Sequence, residues 1–245
     1  MFAEREALVA APQDFFKFDR TDLRAMFEHV EVVWDVLARL PMLTADLLGS
    51  RRIIKGTVMP GAFVEDGPVY IGEGACLEPG SYVKGPAYIG DHVIIRQGAY
   101  VRSDCILLEG SVLGHASEAK TALFLPEAKA PHFAYVGDSV LGQRVNLGAG
   151  TKLSNVPVTS SRGADNIRPT ITIPVGDQSV DTGLDKFGAV LGDDVQVGCN
   201  AVLNPGTLIG PRSLVYPNLV VAKGCYPADV IIKLRQSVDI DPRRL

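Results

Sequence analysis

Aliphatic side chains recur at every sixth position through most of this chain. They form three series: Ile71, Leu77, Val83, Ile89, Ile95, Val101, Leu107 and Leu113; then Leu141, Leu147 and Leu153; then Leu191, Val197, Leu203, Ile209, Val215 and Val221. Glycine follows several of them, as in Ile71-Gly72 and Ile209-Gly210. A hexapeptide repeat predicts a parallel β-helix, in which one aliphatic side chain per flat face points inward and small residues turn the tight corners.

The six-residue repeat is part of a longer repeat of three hexads. The sequence GPVYIG at 67–72 returns as GPAYIG at 85–90, and EPGSYVK at 78–84 aligns with RQGAYVR at 96–102. Both offsets equal three hexads, and therefore one coil with three faces and three corners. We expect successive coils to pair at the strand spacing of about 4.8 Å, so that each coil is stabilised mainly by its neighbours.

Residues 1–50 follow a different pattern. An apolar stripe at helical spacing contains Leu23, Met26, Phe27, Val30, Val33, Trp34, Leu37 and Leu40. It predicts an amphipathic helix over about 21–40, capped by Asp19 or Thr21 and ended by Pro41, with a helical turn up to Gly49. Such a stripe usually packs against the neighbouring domain. We therefore predict a helical segment at 1–50, a β-helix at 51–226 and a C-terminal tail at 227–245.

The six-residue frame fails twice. It lapses between Leu113 and Leu141 and again between Leu153 and Leu191, which predicts insertions at 114–140 and 154–190. Apolar and polar residues alternate at 170–173 and 175–180, so the second insertion is expected to contain an extruded β-hairpin. Because insertions in a solenoid project outward and often build its binding face, we expect the chemistry at these two places.

Composition narrows the choice of partners. The 245 residues include 25 glycines and 16 prolines, which suits the many corners of a β-helix. The net charge of −4 argues against a nucleic-acid surface, and no apolar run approaches the length of a membrane span. The N-terminus lacks a signal-peptide pattern. Four distant cysteines without a CxxC pair suggest reduced thiols and a cytoplasmic location.

A motif in the middle of the chain resembles that of a known family. KAPH at 129–132 is followed by YVGD at 135–138, NLGAGT at 146–151 and Asn155. This spacing is similar to the KAxHxxYxGDxxxGxxxNxGAGT...N signature of the acetyltransferase domain of bifunctional N-acetylglucosamine-1-phosphate uridyltransferase/glucosamine-1-phosphate acetyltransferases. It looks still closer to the archaeal-type sugar-1-phosphate nucleotidylyltransferases that carry such a domain. The resemblance implies a left-handed β-helix, a hand that the repeat alone does not dictate.

The same resemblance implies an acetyl-CoA-dependent homotrimer whose active site is shared between subunits. His132 would be the general base, since a sugar amine that attacks a thioester loses a proton and histidine titrates near neutral pH. The direct attack needs neither a protein nucleophile nor a metal. For a histidine outside this motif, a structural role is the commoner interpretation, and nothing marks His29, His92 or His115 as catalytic.

Further site residues follow from the same match. Arg102 and Lys120 correspond to phosphate-binding cations, and their separation of three hexads stacks them on adjacent coils. Two cations so close would repel each other unless a phosphate lies between them. Tyr135 and Asn146 correspond to groups that hold the sugar, and Asn155 to one near the acceptor amine and the acetyl carbonyl. The alternatives are solvated surface charges for the two cations and corner geometry for the two asparagines.

Three residues with short side chains are the candidates for binding CoA. Ala149, Cys199 and Pro217 correspond to positions that line the pantetheine groove, and Cys199 is more simply a small corner residue than a nucleophile. The chain departs from the family after Asn155, where a lysine is usual. The segment NVPVTSSRGADNIRP offers only Arg162 and Arg168, and arginine differs from lysine in reach and geometry.

Three functions fit these residues to different degrees. The leading hypothesis is an N-acetyltransferase that acts on an amino-sugar phosphate such as glucosamine 1-phosphate. The alternative is a non-catalytic trimeric scaffold that binds a sugar phosphate or a nucleotide sugar and accompanies a separate nucleotidyltransferase, because no GxGTRL-like start precedes the helix. A γ-type carbonic anhydrase is disfavoured, because the spacings between His92, His115 and His132 lack the expected close pair.

Overall fold

The computed structural model describes residues 10–163 and 166–235. Predictions that fall on residues 1–9, 164–165 and 236–245 lie outside the described residues. Three helices precede the β-structure in the described part: α1 at Pro12–Phe15, α2 at Thr21–Met26 and α3 at Asp35–Leu48. No helix among the described residues is long and apolar enough to cross a bilayer.

Twenty-six short strands follow within the described part of the chain. They are β1 Arg52–Ile54, β2 Thr57–Val58, β3 Phe63–Val64, β4 Val69–Ile71, β5 Cys76–Leu77, β6 Tyr82–Val83, β7 Ala87–Ile89, β8 Ile94–Ile95, β9 Tyr100–Val101, β10 Cys105–Leu107, β11 Val112–His115, β12 Glu118–Phe124, β13 Lys129–His132, β14 Tyr135–Leu141, β15 Asn146–Leu147, β16 Lys152–Leu153, β17 Thr172–Val175, β18 Gln178–Asp181, β19 Ala189–Leu191, β20 Gln196–Val197, β21 Val202–Leu203, β22 Thr207–Ile209, β23 Leu214–Val215, β24 Val220–Val221, β25 Gly224–Tyr226 and β26 Ile231–Ile232.

These strands stack into three parallel ladders, which are the flat faces of the predicted left-handed β-helix. Face 1 contains β1, β4, β7, β10, the ends of β12 and β14, then β19, β22 and β25. Face 2 contains β2, β5, β8, β11, β13, β15, β20, β23 and β26. Face 3 contains β3, β6, β9, the starts of β12 and β14, then β16, β21 and β24. The predicted fold class is confirmed, and β26 extends face 2 past residue 226, where a tail was expected.

The core is the column of residues that the six-residue frame identified. All seventeen of the aliphatic positions named from the sequence belong to one buried cluster. Because the coils lie about 4.8 Å apart, each inward side chain contacts the equivalent side chain of the coils above and below it.

Residues 114–140 are not an insertion, contrary to the expectation from the sequence. They belong to two coils that run from Leu107 through Phe124 to Leu141, each one position shorter than three hexads, with Ala119 paired to Val136 and Leu123 paired to Val140. The missing position is at the corner from face 3 to face 1, so β12 and β14 run through it without a break. The core continues through Phe124 and small neighbouring alanines, and this change of spacing and size hid the repeat.

The second interruption is a true excursion from the wall. The chain leaves face 3 after Leu153 and rejoins face 1 at Ala189, and β17 and β18 form the predicted antiparallel hairpin within it. Ile171 and Ile173 of this excursion are buried in the same cluster as the outward side of face 1. The hairpin part of the excursion therefore lies flat along face 1.

The N-terminal helices cover the rest of face 1, as the apolar stripe suggested. Leu23, Trp34 and Leu40 pack in one cluster with Ile106 and Val140, which point outward from face 1. The single helix expected over 21–40 was wrong, however, because it is divided in two.

The division follows from local sequence. The left-handed residue His29, with a φ of 60°, lies just after α2, and the β-branched residues at 30, 32 and 33 are weak helix formers. The N–H of Val33 instead donates to the carbonyl of Ala10 at 2.7 Å. Pro41 does not end a helix but lies inside α3.

Candidate active site

The motif residues occupy face 3 and its two edges in the short coils. His132 ends β13 at the corner between faces 2 and 3, and Tyr135 opens β14 on face 3. Arg102 and Lys120 lie at the opposite edge, the corner between faces 3 and 1, and Asn155 follows β16 at that same corner. Face 3 thus separates the candidate base from the candidate cations by the width of one short strand.

Arg102 and Lys120 occupy equivalent positions on adjacent coils, as their spacing predicted. The N–H of Arg102 donates to the carbonyl of Ala119, and Val101 pairs with Ala119 in the ladder. Each cation, however, already has a carboxylate partner. Arg102 lies 3.0 Å from Glu118, and Lys120 lies 3.0 Å from Asp138. The chain itself therefore supplies a counterion to each of the two cations.

Asp138 organises this corner. It has a left-handed φ of 44°, and its side chain is only 10% exposed. Its carboxylate accepts hydrogen bonds from the Lys120 ammonium and from the Asn155 side-chain amide. Burial, followed by the charges of Glu118 and Asp138, raises the pKa of the nearby Tyr135 phenol. Lys120 and Asn155 therefore converge on one buried carboxylate.

The opposite edge of face 3 carries His132 in an exposed position. His132 pairs with His115 of the coil below. Lys152 lies one coil above Tyr135 on face 3, and its ammonium donates to the carbonyls of Phe133 and Gly150 at 2.7 and 2.8 Å. Burial lowers the pKa of Lys152. This lysine fixes the corner that holds His132 and places a positive charge there.

The three residues assigned to the CoA side lie on the same edge as His132. Gly150 donates to the carbonyl of His132, Asn200 to that of Ala149 and Asn218 to that of Cys199, at 2.8 to 3.0 Å. His132, Ala149, Cys199 and Pro217 therefore follow one another up this corner, one per coil. The thiol of Cys199 is exposed and free. The result is a continuous edge of short side chains that begins at the candidate base.

Two expectations find less support in this arrangement. Asn146 lies on face 2, paired with Lys129 and Gln196, and so it is around the corner from the cluster at Asp138. Arg162 and Arg168 bond within the excursion, to Asn166 and to the carbonyl of Ser160 respectively. Both arginines are therefore held by other residues of the excursion.

A groove of about 380 Å³ opens directly after Asn155. One wall is the start of the excursion, residues 156–159, and the other is formed by Pro205, Ala222 and Lys223 of the two following coils. The groove runs along the corner between faces 3 and 1 and is lined mainly by apolar atoms. The Asn155 end of the cluster around Asp138 therefore borders an open, largely apolar groove.

Fold and motif together define a hexapeptide-repeat β-helix with a polar site on one face. Residues 68–103 match the family model described as bacterial transferase hexapeptide (six repeats). The resemblance that the motif indicated is confirmed at the level of sequence, because the chain aligns with bifunctional proteins, one of which is named as a nucleotidylyltransferase/acetyltransferase.

Two of these relatives are archaeal. The chain is 37% identical over 155 residues to the bifunctional sugar-1-phosphate nucleotidylyltransferase/acetyltransferase of Sulfurisphaera tokodaii, an alignment that covers 63% of this chain and 37% of that protein. It is 33% identical over 205 residues to the bifunctional protein GlmU of Methanococcus maripaludis, covering 84% and 47% respectively. The chain therefore spans less than half the length of the curated relatives it matches here.

Among solved structures, an Arabidopsis UDP-N-acetylglucosamine acyltransferase aligns over 72% of this chain and 70% of that chain. The identity is 13% and the TM-score 0.43. A likeness of this size carries no argument about function, which must rest on the site itself.

Sequence reasoning missed Glu118, Asp138 and Lys152 as partners of the candidate residues. Asp138 stands inside the motif, so its position was visible, but its bonds to Lys120 and Asn155 depend on the short corner. No group of three metal-binding side chains exists among the residues that the structure describes.

Proposed function

We propose that this chain is an acyl-CoA-dependent N-acetyltransferase whose acceptor is an amino-sugar phosphate such as glucosamine 1-phosphate. The observation that carries the proposal is the arrangement of face 3, where His132 lies at one edge and Lys120, Asn155 and Arg102 lie at the other. Tyr135 stands between them. A sugar bound across this face would meet a base at one end and cations at the other.

His132 takes the proton in the proposed reaction. The acceptor amine attacks the carbonyl carbon of the acetyl thioester, the new C–N bond forms, and the C–S bond breaks after the tetrahedral intermediate collapses. The amine proton passes to His132, and the leaving CoA thiolate is protonated to the thiol. An exposed imidazole at the end of a rigid strand suits this role, because general-base catalysis requires a group that is held in reach of the proton it accepts.

Asn155 and Tyr135 are assigned to orientation. Asn155 is held by Asp138, so its amide is fixed before the substrate arrives, and a preorganised donor stabilises developing charge at little reorganisation cost. Asn146 would contribute from face 2, either to the sugar bound on its own chain or to that of a neighbouring subunit. Arg102 and Lys120 bind the phosphate, and since each is already paired, the phosphate must compete with Glu118 and Asp138 for them.

Acetyl-CoA is placed along the edge above His132. Ala149, Cys199 and Pro217 present short side chains there, which leaves room for a pantetheine arm to reach the base. We propose a homotrimer in which a neighbouring subunit covers this edge, since three prism-shaped solenoids close a ring through heterologous contacts. The free cysteines suit a reducing, cytoplasmic compartment.

A second candidate is favoured by one observation. The position after Asn155 lacks its lysine, and Arg162 and Arg168 are held within the excursion. A site without that cation fits a non-catalytic trimeric scaffold, one that binds a sugar phosphate or nucleotide sugar and accompanies a separate nucleotidyltransferase.

Release of free CoA thiol separates the two candidates. The wild-type protein is incubated with acetyl-CoA and glucosamine 1-phosphate, and thiol is followed with a chromogenic disulfide. The enzyme is expected to release thiol only when a free amine is present, and N-acetylglucosamine 1-phosphate, whose amine is already blocked, is the control. If no amino-sugar phosphate stimulates release, the catalytic proposal fails and the scaffold remains.

A further inference from the structure

One bulky side chain interrupts a column of small residues at the corner that holds His132. On seven successive coils, the same position of the corner between faces 2 and 3 carries a left-handed residue, with φ between 50° and 78°. One of the seven is Phe133, which directly follows His132. The other six are small: Gly80, Gly98, Ala116, Gly150, Asn200 and Asn218.

Phenylalanine is an unfavourable choice for this backbone conformation. Glycine adopts a positive φ freely and asparagine tolerates it, whereas a bulky side chain there is strained. Contacts on both sides hold Phe133 in place. Its N–H donates to the carbonyl of His115 at 2.9 Å, and its carbonyl accepts from the Lys152 ammonium at 2.7 Å. A strained residue that its neighbours maintain in this way is typical of functional positions.

The ring of Phe133 covers one side of the candidate base. It is 53% exposed and packs edge-on against the imidazole of His115, with centroids 5.2 Å apart. His115 occupies the position equivalent to His132 on the coil below. The ring therefore projects downward along the edge, away from Ala149 and Cys199, which lie above His132.

The edge above His132 has no comparable obstacle. Ala149, Gly150 and Cys199 present short side chains or none on the next two coils. In the proposed function, the pantetheine arm of CoA descends this edge and brings its thioester to His132. The acyl carbons beyond the thioester then continue in the same direction, towards the ring of Phe133.

We propose that the Phe133 ring limits the transferred acyl group to the size of acetyl. This inference rests on the proposed function and adds a residue that selects the donor. The methyl of an acetyl group ends where the ring begins, whereas the further methylenes of a butyryl group must displace the ring or leave the edge. Displacement is resisted because Phe133 is held at its N–H, at its carbonyl and at its ring.

Three substitutions isolate the contribution of the ring. Phe133→Gly introduces the residue that Gly98 and Gly150 already provide at this position, so it removes the ring and suits the left-handed backbone. Phe133→Tyr keeps the ring and is the conservative variant. Phe63→Ala is the matched control, because Phe63 is similarly exposed, at 54%, but lies on face 3 four coils below.

The binding arm of the test uses S-ethyl-CoA and S-butyl-CoA, two thioethers that cannot transfer an acyl group. Calorimetric titration of the wild-type protein should show S-ethyl-CoA binding about tenfold or more tightly than S-butyl-CoA, since excess methylenes in a closed pocket are discriminated by such factors. Phe133→Gly should remove most of this difference. Phe133→Tyr and Phe63→Ala should keep it.

The turnover arm compares butyryl-CoA with acetyl-CoA as donors to glucosamine 1-phosphate. In Phe133→Gly, the ratio of kcat/KM for butyryl-CoA to that for acetyl-CoA should rise about tenfold or more. Phe133→Tyr and Phe63→Ala should leave the ratio as it is in the wild type. The molar mass of Phe133→Gly in solution, measured by light scattering, should equal that of the wild type.

Three results would overturn the proposal. The first is that the wild-type protein binds the two thioethers equally or binds neither. The second is that Phe133→Gly leaves their discrimination unchanged, or that Phe63→Ala reduces it as much. The third is a changed molar mass for Phe133→Gly, which would assign the ring to a contact between subunits.

Failure of this inference is distinguishable from failure of the proposed function. Binding of the thioethers requires no acyl transfer. A protein that discriminates between them through Phe133, and yet releases no thiol with any amino-sugar phosphate, would support the inference and contradict the catalytic proposal. A protein that acetylates glucosamine 1-phosphate but binds both thioethers equally would do the reverse.

Discussion

The regular coils at 67–107 and the short coils at 108–141 are built from the same repeat but differ at one corner. In a regular coil, residues such as Ser103 and Asp104 turn between faces 3 and 1 as a separate loop. In a short coil one residue is missing, the strand runs through the corner, and Asp138 is turned to meet Lys120 and Asn155. Loss of a single residue per coil thus replaces a separate turn by a continuous strand whose corner carries interacting charges.

The largest expected effect concerns the base on the short coils. Replacing His132 by Ala should lower kcat for acetyl transfer by about 10²- to 10⁴-fold, the usual contribution of a general base. His115→Ala provides the control, because His115 occupies the same edge one coil below. Thiol release measured for both variants should change only modestly for His115→Ala, and an equal loss in the two would contradict the assignment of the base.

A smaller effect is expected at the corner itself. Asp138→Asn removes the charged partner of the mostly buried Lys120 and should lower the free energy of unfolding by about 1–3 kcal/mol. It should also raise KM or lower kcat, since Asn155 loses its charged acceptor. Urea denaturation and steady-state kinetics measure the two effects.

The regular corner supplies the comparison for that substitution. Asp104 lies at the equivalent position two coils below, also with a left-handed φ, and burial raises its pKa. An uncharged amide is therefore well tolerated there, and Asp104→Asn should change the free energy of unfolding by about 0.5 kcal/mol or less. Equal costs at Asp104 and Asp138 would mean that the short corner has no special electrostatic role.

The smallest effect is expected at the corner between faces 1 and 2, away from the site. Arg144 bonds Asp194 of the next coil at 2.6 and 2.8 Å, and this hydrogen bond lowers the pKa of Asp194. The groups are partly exposed, so Arg144→Gln should cost about 0.2–1 kcal/mol near pH 7. Because the folded pKa is depressed, that contribution is present above the ordinary aspartate pKa and is lost as the pH falls through the folded value.

Unfolding measured from about pH 6 down to about pH 3 should therefore show the wild type and Arg144→Gln converging at the acidic end. Arg212, which pairs with Asp229 at the same corner of a later coil, should show the same convergence when it is replaced by Gln. A difference that grows with acidity would reverse the sign and refute this account.

The repeat predicted most of the fold because its spacing has a direct geometric cause. One inward residue per face repeats every six positions, so all seventeen aliphatic positions were found in the core. The six-residue pattern was not recognised in the short coils, because each lacks one position. In addition, Ala130 and Phe124 occupy core positions that hold medium-sized aliphatic side chains elsewhere. Helical periodicity likewise predicted helix at residues 27–34, where the structure has none. Tertiary contacts such as the hydrogen bond between Val33 and Ala10 decide where a helix breaks.

The sequence predicted which site residues stack on adjacent coils, but it did not predict which charged side chains pair with each other. The spacing of Arg102 and Lys120 correctly stacked them, since register depends only on coil length. Glu118 is close to Lys120 along the chain and yet pairs with Arg102, because the course of the corner decides which carboxylate reaches which cation.

The outward rings of face 3 were predictable, although the sequence analysis did not single them out. Tyr82 and Tyr100 recur one coil apart, and each precedes an inward valine of the six-residue frame, Val83 or Val101. Because side chains alternate along a strand, both rings are expected to face outward.

The two ends of the excursion meet at its base, where the N–H of Phe187 donates to the carbonyl of Asn155 at 3.0 Å. The two ends of the excursion therefore lie side by side, and the β-helix continues beneath the loop between them. Loop-closure entropy changes only slowly with length, so the exposed part of this loop could be shortened, lengthened or exchanged at small thermodynamic cost while the stack of coils stays intact. The segment next to Asn155 can thus vary in length and sequence without any change to the repeat that supports it.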